Sequence, residues 1–219
     1  MKFLALISGG KDSVFNIMEC VKAGHELVAL GNLYPVEGGE LDSYMYQSVG
    51  SEAIELIAQA LDKPLFRRPI QGKPKDQSLE YSQPTDPQDE VEDLYLLLQD
   101  VLAKHPDIKG LSSGAIASTY QKNRVEALCG RLGLTSIALL WNRDQTELLT
   151  SMVESGLEAI LIKVACYGLD QKHLGKTIKE LRDYLVKLSD DYGAHCCGEG
   201  GEFESLVLDC PLFKRRINM

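Results

Sequence analysis

The sequence has no apolar run long enough to span a bilayer, which argues against a membrane-spanning helix and a membrane partner. Its N-terminus also lacks the layout of a signal peptide, because the stretch KFLALI is short and runs straight into a glycine-rich turn. None of the six cysteines forms a C-x-x-C pair, so the usual spacings of zinc and thiol redox sites are absent. We therefore expect reduced thiols in a cytoplasmic protein.

Basic charge is scarce in this chain. It carries 23 lysines and arginines against 32 aspartates and glutamates, a formal net charge of -9. Non-specific nucleic-acid binding needs clustered basic side chains, so no direct nucleic-acid partner is expected. The 219 residues suffice for one sizeable α/β domain, and we interpret 1–219 as a single domain.

Apolar runs alternate with helical periodicity along the chain, the pattern of a parallel sheet covered by helices. The fold class predicted is α/β, a Rossmann-like, doubly wound, mostly parallel sheet whose ligands bind at the carboxyl ends of the strands. Strands are predicted at 3–7, 26–33, 64–70, 109–113, 135–141, 158–165 and 203–208. Helices are predicted after the glycine-rich turn, at about 48–62, after residue 86, and at about 118–132, 145–155 and 176–189.

One segment interrupts this alternation. Residues 72–89 carry prolines and polar residues without periodicity, so they are predicted to form a long mobile loop, of the kind that serves as a lid or a binding segment. The helix that follows is expected to begin with Asp86 as its cap and Pro87 in its first turn.

The glycine-rich turn, SGGKDS at residues 8–13, lies between the first strand and the first helix. It matches neither the Walker A spacing nor the dinucleotide fingerprint. Gly9 and Gly10 would let the backbone approach an anion, Lys11 would neutralise phosphate charge, and Asp12 would hold Mg²⁺. The alternative is a Gly-Gly turn whose polar residues only cap the helix. The residues assigned to phosphate binding are Ser8, Gly9, Gly10, Lys11, Asp12 and Ser13.

Several motifs resemble those of known enzymes. SGGKDS resembles the loop of the N-type ATP pyrophosphatases, on the adenine-nucleotide α-hydrolase (PP-loop) fold, which cleave ATP between the α and β phosphates. With it, four further stretches resemble the diphthine–ammonia ligase family, and the likeness covers essentially the whole chain. They are LDSYMYQSVG (41–50), SSGAIASTYQKNRVE (112–126), LWNRDQ (140–145) and CGEGGEFES (197–205).

The resemblance implies an activity. ATP and Mg²⁺ would activate the carboxylate of diphthine, a modified histidine of translation elongation factor two, as an acyl-adenylate. Ammonia would then displace AMP and give the amide, diphthamide. No glutaminase domain fits in the chain, so free ammonia is the expected nitrogen source, and the chain is expected to be either a short form or an excised N-terminal domain.

Two alternatives remain open at this stage. One is a related enzyme that adenylates a tRNA base for thiolation, although this chain lacks the cysteine pair and the basic surface expected there. The other is a nucleotide-binding module without turnover.

The middle motif contains a candidate nucleotide contact. Gly114 would permit close approach of the backbone to the nucleotide, with Ala115 beside it. Tyr120 and Arg124 lie four residues apart and share a helical face. Spacing alone favours a solvated arginine beside a core tyrosine, whereas the resemblance implies that Arg124 meets phosphate or the substrate carboxylate and that Tyr120 contributes to the nucleotide site.

The stretch GEGGEFE concentrates carboxylates around two glycines, which would be wasteful in a purely structural turn because clustered acids repel one another. Diphthine carries a trimethylammonium group, so we interpret this acidic turn as its receptor, with Tyr46 or Trp141 adding cation–π attraction. One glutamate would alternatively bind Mg²⁺ or deprotonate ammonium, and His195 is interpreted as a packed or turn-capping histidine. The substrate-binding residues predicted are Tyr46, Glu199, Gly200, Gly201, Glu202 and Glu204. The catalytic residues predicted are Lys11, Asp12, Arg124 and Glu199.

Overall fold

A computed structural model of the chain describes residues 1–35, 45, 49–79, 81, 86 and 88–218. Five parallel strands form its larger sheet in the spatial order third, second, first, fourth, fifth, which confirms the predicted α/β class. These strands are β1 (Lys2–Leu6), β2 (Glu26–Pro35), β3 (Leu65–Ile70), β4 (Gly110–Ser112) and β5 (Thr135–Ile137).

Helices connect the strands and cover both faces of the sheet. They are α1 (Lys11–Lys22), α2 (Ile54–Leu61), α3 (Glu90–Lys104), α4 (Thr119–Leu132), α5 (Gln145–Glu154) and α6 (Ile178–Tyr192), with short 3₁₀ helices at Ser51–Ala53 and Gln171–His173. The side chains of β1 alternate between the two faces. Phe3 and Ala5 pack in the cluster formed with α1 and α2, while Leu4 packs in the cluster formed with α3 and α4.

The order of the strands creates a switch point beside β1. The chain builds outward from β1 through β2 to β3, then crosses to the other side of β1 for β4 and β5. In open sheets of this kind, a crevice forms beyond the carboxyl ends of the two strands at the switch. The glycine-rich loop follows β1 and therefore lies at this crevice.

The last two strands do not join the parallel sheet. β6 (Glu158–Val164) and β7 (Phe203–Asp209) pair antiparallel in a separate two-stranded sheet. This sheet packs against the first one, since Leu206 and Leu208 of β7 share an apolar cluster with Ile54 of α2. The sequence predicted both strands but not that they form a separate sheet, because hydrophobic periodicity and composition do not reveal which strand pairs with which.

Two predicted boundaries are wrong. β5 ends at Ile137 rather than 141, because the chain turns at residues 139–142. The N-cap of α3 is Asp89, whose Oδ1 accepts the Val91 N–H at 2.9 Å, whereas Asp86 accepts the Gln88 N–H one turn earlier. Pro87 lies outside the described residues. The predicted helix at about 118–132 is confirmed as α4, and its N-cap is Ser118, which accepts the Gln121 N–H.

Among the described residues, no helix combines the length and apolar character that crossing a membrane requires. The six cysteines form no disulfide. Cys166 is half-buried, and the other five are buried.

Burial predicts the order in which these thiols react. Burial raises the pKa of Cys20 and Cys210 to about 11 and that of Cys129 to about 12, and it raises the pKa of Cys166 as well. Access to the reagent rather than the thiolate fraction therefore sets the order. We expect iodoacetamide at pH 8 to modify Cys166 first, as read by peptide mass spectrometry of the native protein. Faster modification of a buried thiol than of Cys166 would contradict this expectation, and a urea-unfolded sample is the control in which all six react.

Candidate active site

A cleft of about 490 Å³ opens at the carboxyl ends of β1 and β4, at the switch point of the sheet. It brings together the glycine-rich loop, the loop after β4, the end of β2 and the acidic turn. The predicted site residues in its walls are Ser8, Lys11, Asp12, Ser13, Gly114, Ala115, Glu199, Gly200, Gly201 and Glu204. The predicted residues that do not line it are Gly9, Gly10, Tyr120, Arg124 and Glu202. Tyr46 lies outside the described residues.

The glycine-rich loop is held in shape by its own hydroxyl groups. The Gly10 N–H donates to Ser8 Oγ at 3.3 Å, and Ser13 Oγ donates to the Gly10 carbonyl at 2.9 Å. Gly9 has a φ of +88°, a conformation that favours glycine, and a Cβ there would lie 3.1 Å from the Ile54 side chain. Gly9 thus provides backbone shape and close packing, and its predicted contact with an anion stays a prediction.

Lys11 and Asp12 form the charged centre of the cleft. The Lys11 side chain is 3% exposed, and its Nζ lies 2.9 Å from Asp12 Oδ2 and 5.0 Å from the centroid of the Phe203 ring. Burial is the largest effect on Lys11 and acts to lower its pKa, but the charge and hydrogen bond of Asp12 together with the charge of Glu199 and other neighbours outweigh it. The pKa is therefore raised and the ammonium persists. Burial also raises the pKa of Asp12 despite the opposing effect of Lys11.

The C-terminal sheet completes this centre. Lys11 Nζ donates to the Cys197 carbonyl, and the Lys11 N–H donates to Ser205 Oγ at 3.1 Å. The Val207 N–H donates to the Gly9 carbonyl at 3.0 Å, so β7 fixes the loop from behind. Ser205 was missed as a site residue although it ends the quoted stretch CGEGGEFES.

Two buried asparagines were also missed. Asn32 lines the cleft from β2 and donates to the Ile7 carbonyl at 2.9 Å. Asn16 is completely buried on α1 and donates to Ser112 Oγ at 2.7 Å. An amide inside an otherwise apolar pattern was the signal that could have identified both, because a buried polar side chain must be hydrogen-bonded.

Gly114 permits a close approach different from the one expected. A Cβ at this position would lie 2.7 Å from the backbone carbonyl carbon of Asp12 and from the backbone nitrogen of Ser13. The close neighbour of Gly114 is therefore the first turn of α1. This contact brings the loop after β4 against the glycine-rich loop and so sets the width of the cleft.

One oxygen of Glu199 accepts three backbone hydrogen bonds. Its Oε1 lies 3.0, 2.9 and 3.0 Å from the backbone nitrogens of Ile116, Ala117 and Ser118, just before α4 begins. A carboxylate at this position satisfies amide groups that have no partner within the helix and lies at the positive end of its dipole. Glu199 therefore fastens the acidic turn across the cleft to the start of α4.

The other two glutamates of the acidic turn also have partners within the protein. Glu202 accepts the N–H groups of His195 and Gly200, each at 2.8 Å, and so shapes the turn itself. Glu204 lies 3.6 Å from Lys163 Nζ. The expectation that these acids are wasteful in a structural turn was wrong, because backbone amides and a lysine offset their repulsion. His195 Nδ1 accepts the Cys197 N–H, in line with the predicted turn-capping role.

Arg124 is fully buried and points away from the cleft. Its guanidinium donates to the carbonyls of Asp76 and Ser78 and stacks on Tyr120 and Tyr81, with ring centroids 3.3 and 4.5 Å from Cζ. Arg124 and Tyr120 do not line the cleft, and their contact with phosphate or nucleotide stays a prediction. In the structure they fasten residues 72–79 of the predicted mobile loop to α4.

Replacing Arg124 with lysine tests this role. Lysine keeps the charge but loses the planar fork and the stacking. We expect the free energy of unfolding to fall by about 1–2 kcal/mol and amide hydrogen exchange to quicken in residues 72–79. Lys122→Arg, at a partly exposed ion pair with Glu126, is the matched control on the same helix. Unchanged exchange in 72–79 would show that Arg124 does not hold this segment.

The parallel sheet and the loop at its switch point define an α/β protein of the kind that binds anions beyond the carboxyl ends of its strands. The chain belongs to the diphthamide synthase family. Residues 1–136 match the family described as diphthamide synthase N-terminal domain, and residues 144–219 match the one described as diphthamide synthase C-terminal domain.

Curated relatives named diphthine–ammonia ligase align along nearly all of this chain. The Schizosaccharomyces pombe protein is 57% identical over 99% of this chain and 36% of its own length. The Danio rerio protein is 56% identical over 99% of this chain and 86% of its own length. The chain thus spans about a third of the first relative and most of the second. A solved structure from Methanocaldococcus jannaschii, described as a predicted subunit of tRNA methyltransferase, covers 99% of this chain and 100% of its own at 16% identity, with a TM-score of 0.41 that supports no argument.

Proposed function

We propose that this chain converts the carboxylate of diphthine on translation elongation factor two into an amide, with ATP and ammonia as co-substrates. Relatives that carry the name diphthine–ammonia ligase support the activity at 56–57% identity. The observation that carries the proposal is the buried Lys11–Asp12 pair in a cleft that the acidic turn also lines. The Lys11 ammonium suits an anionic phosphate chain, and the carboxylates of the turn suit a cationic acceptor.

The chemistry follows from these charges. A carboxylate oxygen of diphthine attacks the α-phosphorus of ATP and pyrophosphate leaves, after which the nitrogen of ammonia attacks the acyl carbon and AMP leaves. Lys11 neutralises charge on the phosphates, and its burial strengthens this attraction by excluding water. The loop after β4 and the glycine-rich loop hold the two reactants in one cleft, which lowers the entropic cost of their encounter.

Mg²⁺ fits the residues at the glycine-rich loop. Asp12 Oδ1 is buried without a hydrogen-bond partner in the described part of the chain, which suits an oxygen that binds a cation. Within the same described residues, no cluster of three or more histidine, cysteine or acidic side chains forms a complete metal site. Mg²⁺ commonly uses one or two carboxylates plus substrate phosphates and waters, so Asp12 would hold it together with ATP. Bound there, the ion would supply further neutralisation of the phosphate charge.

We assign the trimethylammonium group of diphthine to the side of the acidic turn that faces the cleft. Glu199 and Glu204 line the cleft, whereas both oxygens of Glu202 accept backbone hydrogen bonds outside it. Glu202 is therefore a turn-forming residue in this proposal. Tyr46 remains a proposed contact, since the sequence places it in the stretch LDSYMYQSVG.

A cytoplasmic location and a single-domain organisation complete the proposal. Six cysteines without a disulfide are typical of a reducing compartment. Elongation factor two and ammonia are the partners proposed, with neither a membrane nor a nucleic acid in the reaction.

The experiment that tests the proposal combines the purified chain with ATP, ammonium and diphthine-bearing elongation factor two. We expect AMP release and a matching mass change of the factor as its carboxylate becomes an amide. Omission of the factor or of ammonium is the control. AMP release that depends on tRNA would favour a tRNA-adenylating enzyme, and ATP binding without any AMP release would favour a non-catalytic nucleotide-binding module.

A further inference from the structure

An exposed pair of tyrosines lies beside the acidic turn. Tyr167 is 77% exposed and Tyr192 is 59% exposed, the two highest values among the large hydrophobic side chains that the structure describes as exposed. Their rings meet edge to face, with centroids 4.9 Å apart and an interplanar angle of 72°. Two adjacent aromatic rings in water are an unusual use of side chains that dominate protein interfaces.

The backbone holds this pair in place. Tyr167 follows β6 and Tyr192 ends α6. The carbonyl of Gly168, next to Tyr167, accepts a hydrogen bond from the Tyr184 hydroxyl at 2.6 Å. Gly168 also has a φ of +92° and lies against Leu188 of α6, so the turn that carries Tyr167 is tightly constrained. A fixed aromatic side chain loses little conformational entropy when a partner binds it.

Glu202 connects the tyrosine pair to the acidic turn. The Ala165 N–H, two residues before Tyr167, donates to the Glu202 carbonyl at 2.8 Å. The His195 N–H, three residues after Tyr192, donates to Glu202 Oε1 at 2.8 Å. Both tyrosines therefore lie within three residues of segments that Glu202 holds, and so near the turn whose glycines line the cleft.

Two exposed carboxylates precede Tyr192 in the chain. Asp190 and Asp191 are exposed in the last turn of α6, which contains no basic residue, at the negative end of the helix dipole. Carboxylates there oppose the dipole and cost stability. Lys187 pairs with Asp191, whereas Asp190 forms no salt bridge within the described residues. Aromatic faces beside carboxylates attract lysine and arginine side chains.

We propose that Tyr167, Tyr192 and Asp190 form a docking surface for a basic patch on the folded protein substrate, next to the side chain that enters the cleft. The inference rests on the proposed function and names how its macromolecular substrate is held. A cleft that receives one modified side chain has few contacts with the rest of a large protein. An aromatic surface with an exposed carboxylate, carried on a constrained turn and a helix end near the acidic turn, supplies those contacts without touching ATP.

The experiment measures amidation and direct binding of diphthine-bearing elongation factor two with Tyr167→Ala, Tyr192→Ala and Asp190→Asn. Each tyrosine truncation is expected to raise KM for the factor about tenfold, with kcat and the Kd for ATP unchanged. Tyr192→Phe should retain most of the affinity. Asp190→Asn should reduce the dependence of KM on salt concentration, since exposed charge attraction is screened. Leu56→Ala and Asp62→Asn, at exposed positions of α2 and its C-cap, are the matched controls.

Each outcome decides between the claims. If the wild-type chain amidates the factor and the tyrosine variants keep its KM and Kd, the docking surface is wrong while the proposed function stands. If the wild-type chain neither binds nor amidates the factor, the proposed function fails and the docking surface fails with it. If the variants instead change the oligomeric state in analytical ultracentrifugation, the surface is an interface between copies of this chain and the proposal is overturned.

Discussion

Replacing Lys11 with methionine is expected to lower kcat/KM for AMP formation by about 1000-fold, the upper range for losing one preorganised charge at a transition state. Methionine preserves the length and apolar stem of the side chain but cannot neutralise phosphate. The ammonium lies in a buried position 2.9 Å from Asp12, so water cannot replace it. Quenched-flow measurement of AMP and the Kd of ATP would separate loss of catalysis from loss of binding.

The same substitution is expected to reduce stability, which needs a control. It leaves Asp12 without its partner, and we expect the free energy of unfolding to fall by about 2–3 kcal/mol, less than for a fully buried pair because the Asp12 side chain is 25% exposed. Adding Asp12→Asn removes the unpaired charge and should restore much of the stability without restoring AMP formation. Equal recovery of both would show that the activity loss was only unfolding.

The pH dependence of this stability difference has a defined direction. The folded-state pKa of Lys11 is raised above its ordinary 10.5, so the stabilisation is fully present below that value and is lost as pH rises through the folded-state pKa. The difference in free energy of unfolding between wild type and Lys11→Met should therefore stay constant between pH 7 and 9.

AMP formation by Lys11→Met within tenfold of wild type would favour the alternative of a turn that only caps α1.

Local sequence signals predicted most of the elements and one part of the site. The apolar run of β1, the glycine pair after it and the periodic stripe of α1 all arise within the first 22 residues, so their arrangement follows from nearest neighbours. The cap at Ser118 is likewise a contact over three residues. Such signals depend on backbone geometry that a few residues determine, and they placed Lys11 and Asp12 correctly at the end of a strand.

Local sequence signals could not predict contacts between residues that are far apart in the chain. Glu199 reaches Ile116 across 83 positions, and Lys11 reaches the Cys197 carbonyl across 186. Neither residue spacing nor hydrophobic periodicity predicts that a glutamate of the acidic turn accepts hydrogen bonds from the backbone N–H groups at the start of α4. The burial of Arg124 was missed for the same reason, because its partners are backbone carbonyls 46 and 48 positions away, and a carbonyl leaves no trace in the sequence.

Substitution of Glu199 is the second change expected to have a large effect on activity. Glu199 has a structural role and a substrate-facing role, and two different substitutions separate them. Glu199→Ala removes the acceptor of three backbone N–H groups, so we expect the free energy of unfolding to fall by about 2 kcal/mol. The acidic turn would then shift against α4, and kcat/KM for amidation should fall about 100-fold, since small misplacements of reactants cost that much. Chemical unfolding and the amidation assay measure the two effects.

Glu199→Gln keeps an oxygen that accepts the same N–H groups but removes the negative charge. We expect it to recover stability to within about 1 kcal/mol of wild type, while KM for the diphthine-bearing protein stays raised and the Kd for ATP stays unchanged. Glu202→Gln, in the same turn but outside the cleft wall, is the control for a change in turn shape. It removes a charge and one of two acceptors of backbone N–H groups, and it should raise that KM less than Glu199→Gln does. If Glu199→Gln restores KM together with stability, Glu199 only fastens the turn, and the cation is held elsewhere. If it is as unstable as Glu199→Ala, the charge rather than the acceptor oxygen fastens the turn to α4.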